Sequence, residues 1–323
     1  MRVFIDGITG QTGSHLADLC LNKNYEVFGL IRRASNFNSQ RIDHIFNKLT
    51  LYYGDLTDQS SIDTAIQKSK PDVYIHCGAQ SHVKVSFEIP VYTTDVIATG
   101  TVRVLESLRR NSPTTKFINL ATSEMFGTMP PPQSEITPFH PCSIYACAKV
   151  MSYYSTINYR ESYNMHCSNA IVFNKEGERR GETFVTRKIT RAATRIKLGL
   201  QDYLYLGNLK AKRTWMYCPD ACKALLLMAN ADNPDDYCIS GDEMHSVEEF
   251  LEEVFSYLEL DWKKYVKFDE KFLRPKEVDA LQGDYSKINK ALGWKPETSF
   301  KELVKIMVDN DLILANKELK LSL

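Results

Sequence analysis

The chain has 323 residues, 40 Lys plus Arg balanced by 40 Asp plus Glu, and 43% hydrophobic residues. That length accommodates about two domains of roughly 150 residues and a sizeable core, and the composition lies far from the low-hydrophobicity, high-charge signature of disorder. Zero net charge excludes a broadly electrostatic partner, so no nucleic acid is expected.

Short apolar runs alternate with amphipathic stretches through the first half. Val3–Ile5 precedes Leu16–Asn22, Glu26–Ile31 precedes Ile42–Leu49, and Leu51–Tyr53 precedes Ile62–Gln67. Asp72–Cys77 is followed by Thr101–Leu108, Phe117–Leu120 by Tyr145–Tyr163, and the series ends at His166–Phe173. Strand and helix at this pitch predict an α/β fold, a doubly wound Rossmann parallel sheet with ligands beyond the carboxyl ends of its strands. After Phe173 the pattern loosens into a polar stretch over 174–181, a helix over Phe184–Leu198, short strands at Tyr203–Leu206 and Tyr237–Ile239, and helices at Ala221–Ala229, Val247–Leu258 and Lys301–Lys317. The expectation is a Rossmann domain of residues 1–173 plus about 214–240, and a smaller α/β substrate-binding domain of about 174–213 and 241–323.

Eight cysteines, at 20, 77, 142, 147, 167, 218, 222 and 238, include no Cys-x-x-Cys pair, so no zinc or other metal is expected. The opening Met-Arg-Val-Phe-Ile-Asp-Gly lacks a signal-peptide run, and no stretch reaches ~18 apolar residues. No membrane association is expected, and the compartment expected is the reducing cytoplasm.

Gly7, Gly10 and Gly13 follow the first strand and open a helix, with Gln11 and Thr12 between the last two. Glycines tighten such a turn and admit a pyrophosphate, while the helix N-terminus offers unpaired N–H groups and a positive dipole end. The second strand runs into Arg32-Arg33-Ala34-Ser35 where an NAD enzyme would carry a carboxylate for the ribose 2′-hydroxyl. Arginines bind a 2′-phosphate by charge-assisted hydrogen bonds, so the cofactor expected is NADP. Asp55 and Leu56, after the third strand, fall where an adenine contact belongs.

Tyr145 and Lys149 stand four apart at the start of a long helix, hence on one face. An ammonium beside a phenol favours phenolate, so the expectation is a lowered Tyr145 pKa and acid/base use near neutrality. The preceding strand ends in Thr122, Ser123 and Glu124, able to hydrogen-bond or move protons at the same sheet edge.

These motifs resemble the extended short-chain dehydrogenase/reductases that act on nucleotide sugars. Taken with Arg-Arg-Ala-Ser-Asn-Phe-Asn, Tyr-Gly-Asp-Leu-Thr-Asp, Gly78-Ala-Gln-Ser-His-Val-Lys84, Arg-Arg-Gly-Glu-Thr-Phe-Val-Thr-Arg-Lys188, Gly207-Asn-Leu-Lys-Ala-Lys-Arg213 and Arg274-Pro-Lys-Glu-Val-Asp279, the chain is similar to the GDP-mannose 4,6-dehydratases from about residue 3 to about residue 314. The resemblance implies a hydro-lyase with an internal NADP redox cycle: oxidation at C4 by way of Tyr145, removal of the C5 hydrogen by Glu124, loss of the 6-hydroxyl near Thr122, and reduction at C6. It implies cofactor contacts at Gly7, Gly10, Gln11, Thr12, Gly13, Arg32, Arg33, Ser35, Asp55, Leu56, Cys77, Gly78, Ala79, Gln80, Ser81, Tyr92, Lys149, Lys175 and Arg180. It implies substrate contacts at Ser81, Thr122, Ser123, Glu124, Asn174, Val185, Lys188, Arg213, Arg274 and Glu277, and a homodimer or homotetramer in which the Arg32–Asn38 loop crosses between cofactor sites.

Three segments depart from the family pattern: Lys175 in place of His, Arg213-Thr-Trp-Met-Tyr-Cys in place of Arg-Asp-Trp-Gly-His, and Glu124-Met-Phe-Gly in place of Glu-Leu-Tyr-Gly. None removes an acid or base. They leave open a related GDP-sugar such as GDP-manno-heptose. Alternatives to dehydration are a nucleotide-sugar epimerase or reductase of the same fold, or an NADP-sensing regulator.

Overall fold

The computed structural model describes residues 1–36 and 38–322. Six strands lead from the N-terminus: β1 (Arg2–Asp6), β2 (Glu26–Ile31), β3 (Thr50–Tyr53), β4 (Val73–His76), β5 (Lys116–Thr122) and β6 (Cys167–Val172). Seven more follow: β7 (Asn174–Glu176), β8 (Leu204–Leu206), β9 (Lys212–Tyr217), β10 (Tyr237–Ile239), β11 (Met244–Ser246), β12 (Val266–Phe268) and β13 (Ala280–Leu281).

The main sheet has the order β10-β6-β5-β4-β1-β2-β3, and every pairing in it is parallel. Such a sheet is buried on both faces, which is why β1 reads as an unbroken apolar run instead of an alternation. Val3 and Ile5 pack on the face covered by helices Gln11–Asn22 and Cys218–Asn230. Phe4 points the other way, stacked on Tyr74 at 4.9 Å beneath helices Gln59–Ser69 and Gly100–Asn111. Burying one such ring contributes on the order of 2 kcal/mol. The chain runs outward from β1 through β2 and β3, then returns to β4 and continues the opposite way, so the switch point lies between β1 and β4.

The second core joins helices Val185–Lys197, Val247–Tyr257 and Phe300–Ser322 around Trp215, Phe250 and Phe255. Asp311, fully buried, accepts both Nε and Nη2 of Arg187 at 2.7–2.9 Å and the Thr190 hydroxyl at 2.6 Å. Removing one partner of such a pair costs about 3–5 kcal/mol because the other charge is left buried alone. Helix Val247–Tyr257 starts in a capping box, Ser246 and Glu249 each bonding the other's backbone N–H.

The expected elements recur with some differences. Ile42–Leu49 is a 3₁₀ helix, Asp43–Lys48, that buries Ile45 alone, too narrow a stripe to drive an α-helix. Strand β9 belongs to the smaller sheet, between β11 and β13 and paired also with β7, although the sequence pattern groups residues from 214 with the larger one. Helix Ser286–Leu292 places Ile288 in the main-sheet core, with Trp294 close behind. Phe37, within the expected Arg32–Asn38 loop, lies outside the described residues.

Candidate active site

The glycine turn starts where β1 ends. Gly7 takes a φ of +63°, and a Cβ on Gly13 would lie 2.4 Å from the Gly7 carbonyl oxygen, so the turn accepts no side chain there without moving backbone. Across the switch point, Asp6 fixes the opposite wall. Its Oδ1 accepts the N–H groups of Cys77 and Gly78 at 2.6 and 2.7 Å, and its Oδ2 accepts the Tyr74 hydroxyl at 3.0 Å and meets His76 Nδ1 at 2.5 Å. His76 continues to Thr101 and Thr101 to Ser152, which sits on helix Ile144–Tyr163. The turn that would face a cofactor is thereby tied to the helix that carries Tyr145 and Lys149.

A cleft of about 1140 Å³ opens beyond the carboxyl ends of the main strands. Gly7, Gly10, Gln11, Thr12, Gly13, Arg32, Asp55, Leu56, Cys77, Gly78, Ala79, Gln80, Ser81, Tyr92, Lys149, Lys175 and Arg180, all expected to touch the cofactor, are among its lining residues. Thr122, Ser123, Glu124 and Tyr145 lie in the same wall, with Asn174, Val185, Lys188, Arg213, Arg274 and Glu277 toward the other end. Two expected contacts do not line it. Arg33 turns outward, with Nη1 3.3 Å from the Tyr53 hydroxyl and its guanidinium over that ring, and Ser35 is exposed on the loop.

Helix Ile144–Tyr163 begins at Ser143, whose hydroxyl accepts the Ala146 N–H at 3.1 Å, and this cap sets the entry of Tyr145. Tyr145 is buried and hydrogen-bonded to Thr122, whose hydroxyl also accepts the Glu124 N–H at 3.3 Å. The expected lowering of the Tyr145 pKa is not found: burial pushes it up to about 12, the Thr122 hydrogen bond pulls it down, and the Glu124 charge raises it again. Lys149 does not offset this, because its ammonium donates to the Leu120 carbonyl at 2.5 Å. Lys149 is itself pushed down to about 8, by burial first and by the Lys175 charge second.

Glu124 is nearly buried, with Arg274 Nη1 at 3.7 Å and Arg213 Nη2 at 3.9 Å from its Oε1. Arg274 also lies 3.5 Å from Glu277. Lys188 donates to the Tyr205 carbonyl at 2.5 Å and lies 3.2 Å from the centre of the Phe272 ring; burial lowers its pKa to about 8. The arrangement places a phenol, a carboxylate and a hydroxyl in one wall, with Arg213 and Arg274 beside the carboxylate and Lys188 in the same cleft. Such a set can move protons on a substrate that carries its own anion.

A family model described as GDP-mannose 4,6 dehydratase matches residues 4–307. The chain belongs to the GDP-mannose 4,6-dehydratase family. It is 54% identical to GDP-mannose 4,6 dehydratase 2 of Arabidopsis thaliana, over 97% of this chain and 87% of that protein. It is 43% identical to GDP-mannose 4,6 dehydratase of Homo sapiens, over 96% and 91%. Among solved structures it superposes on the UDP-glucose 4-epimerase of Thermus thermophilus, a complex with NAD, with a TM-score of 0.84, 25% identity and coverage of 96% and 99%. The dTDP-glucose 4,6-dehydratase of Bacillus anthracis str. Ames shares the fold, with a TM-score of 0.85 at 19% identity over 98% of each chain.

The departures from the dehydratase pattern are mostly behind the cleft. Thr214 Oγ1 meets the Ser240 hydroxyl at 2.8 Å, Met216 is buried, and Tyr217 donates to Glu178 at 3.2 Å. Met125 and Phe126 are fully buried. Lys175 is the exception: it lines the cleft, its carbonyl accepts Gln11 Nε2 at 2.9 Å, and burial lowers its pKa. Sequence reasoning missed Asp6, Arg41, His82, Trp215 and Phe272, all in the cleft wall. Asp6 offered a signal, a carboxylate closing an apolar strand; Arg41 lies in a loop with no periodicity to place it.

Proposed function

We propose that the chain dehydrates GDP-mannose to GDP-4-keto-6-deoxymannose in this cleft. The observation that carries the reading is Glu124 within the same wall as the Tyr145–Thr122 pair, because an epimerase or a simple reductase requires no base at C5. Tyr145 takes the proton of the 4-hydroxyl. The ketone formed at C4 acidifies the C5 hydrogen, Glu124 removes it as a proton, and the 6-hydroxyl leaves as water with a proton returned from the Thr122/Glu124 side. One proton leaves in water and one returns to C5, so the protein ends as it began. When bound, NADP supplies the hydride acceptor at C4 and the donor at C6. The glycine turn, with no side chain at Gly7, Gly10 or Gly13 and with the helix N-terminus behind it, fits a dinucleotide pyrophosphate. Asn174, Val185, Lys188, Arg213, Arg274 and Glu277 are assigned to the GDP end, the cations to its diphosphate.

The cofactor unit in this reading comprises 1–173, 218–240 and 286–294, the substrate unit the remainder. No helix among the described residues is long and apolar enough to cross a membrane. All eight cysteines are free, which accords with a cytoplasmic setting. Met151, Tyr154 and Ile144 lie exposed on the catalytic helix, with Val91 exposed on a nearby one, and they support a homo-oligomer that covers this face.

Purified protein with NADP and GDP-mannose, without added reductant, should form the 4-keto-6-deoxy product and run above 37.0 kDa in light scattering. Unchanged GDP-mannose and GDP-heptose together with consumption of added NADPH would sink the dehydratase assignment. A monomer would remove the oligomer alone.

A further inference from the structure

Arg32 reaches the cleft from the end of β2, donating Nη1 to the Tyr92 hydroxyl at 3.0 Å, but Arg33 does not accompany it. A second guanidinium nevertheless stands in the cofactor-side wall, that of Arg41. Its Nε donates to the Arg179 carbonyl at 2.8 Å and its Nη1 to the Thr9 carbonyl at 3.5 Å. Thr9 is part of the glycine turn. Because β1 pairs with β2 in the register Asp6 to Leu30, that turn and the end of β2 lie side by side. The gap between them is where a Rossmann fold receives the 2′ position of the adenosine ribose.

The electrostatics favour an anion at this point. Arg41 is half-buried, and among the described residues no carboxylate lies within ion-pair distance of it. Burial first and the nearby Arg187 charge second depress its pKa, Glu182 pulls the other way, and Arg179 adds a lesser depression. Two carbonyls occupy Nε and Nη1 and leave Nη2 unassigned, and a guanidinium so held presents a rigid fork to phosphate oxygens. We propose that Arg41 pairs with Arg32 to hold the 2′-phosphate of NADP, taking the place expected for Arg33, and so sets the preference for NADP over NAD. This rests on the reading of the cleft as an NADP site.

The test is fluorescence titration of the purified protein and of Arg41→Gln with NADPH and with NADH. Glutamine retains an amide donor for the Arg179 carbonyl and removes the charge. NADPH affinity should fall roughly 10- to 100-fold, the range for a lost hydrogen bond to a charged group, while NADH affinity holds within about twofold, the spread of a surface substitution. Arg41→Lys, which retains a charge without the fork, should fall between. Equal losses for NADPH and NADH would overturn the assignment in favour of the shared pyrophosphate or the shape of the 177–181 loop, and no loss for either would overturn it outright. GDP binding, at the far end of the cleft, checks that each variant is folded; should Arg41→Gln fail that check, the NADPH/NADH ratio of Arg41→Lys decides. A parent protein that binds NADPH and NADH alike would remove the NADP reading itself, whereas a parent that prefers NADPH and a variant that keeps the preference would remove the role of Arg41 alone.

Discussion

Glu124→Gln should lower kcat for dehydration by roughly 10²- to 10⁴-fold, the usual worth of a positioned acid or base. It should also stop the incorporation of solvent deuterium at C5 and leave NADP affinity unchanged. The substitution conserves shape. Glutamine fills the volume of the glutamate, the Thr122 hydroxyl still accepts the N–H of residue 124 at 3.3 Å, and the 3₁₀ turn Ser123–Met125 is kept. What is lost is the charge, and with it the ability to receive a proton. The same charge attracts Arg213 and Arg274 from 3.9 and 3.7 Å, so the variant also frees two cations that the GDP diphosphate would otherwise have to recruit from the carboxylate. GDP-mannose binding should therefore be maintained or tightened while turnover collapses, a split between KM and kcat that simple misfolding does not give. Unaltered C5 exchange in the variant would exclude Glu124 as the base.

The elements most legible in the sequence are those whose signal is local. Runs such as Val3–Ile5 and Phe117–Leu120 are buried on both faces and need no partner to be recognised as strands of a covered parallel sheet. The glycine turn and Tyr145–Lys149 declare themselves by spacing. Strands β7, β11 and β13 do not, because two or three residues carry no periodicity and their pairing with β9 is a tertiary fact. The same holds for the 3₁₀ turn at Asp43–Lys48. Side-chain direction is hidden for the same reason: Arg32 and Arg33 look equivalent in sequence, yet they go to different partners, one to Tyr92 and the other to Tyr53. The Tyr145 pKa departs from its expected direction because a spacing of four places Lys149 on the same face without saying where its ammonium points, and the Leu120 carbonyl holds it. Burial, invisible in a motif, then outweighs the motif.

Tyr145→Phe should lower kcat by about 10²- to 10⁴-fold with little change in GDP-mannose affinity, since a single buried hydroxyl is removed and the ring is retained. The cost of using this phenol explains the machinery around it. With its pKa pushed up to about 12, Tyr145 is protonated near neutrality, and it can act as a base only if its surroundings stabilise the phenolate more in the reacting complex than in the empty cleft. Thr122, hydrogen-bonded to it, and Arg180, whose charge also favours phenolate, contribute already. In the empty cleft Lys149 adds nothing to this, its ammonium being held by the Leu120 carbonyl; standing on the same helix face, it is the remaining cation for the reacting complex to turn toward the phenolate. Its pKa of about 8 reflects burial and the repulsion of Lys175, partly offset by Asp6 and Cys77. Below that value the side chain is an ammonium that favours phenolate once turned toward it, and above it the charge is lost. Wild-type kcat should therefore decline as the pH rises past about 8. Lys149→Met should show low activity without that alkaline decline, and Tyr145→Phe should be insensitive to it, because the group that the charge assists is gone. Wild-type activity that continued to climb through this range would mean that ionisation of Tyr145 limits turnover more than the loss of the ammonium, and that Lys149 serves to position instead of to charge the site.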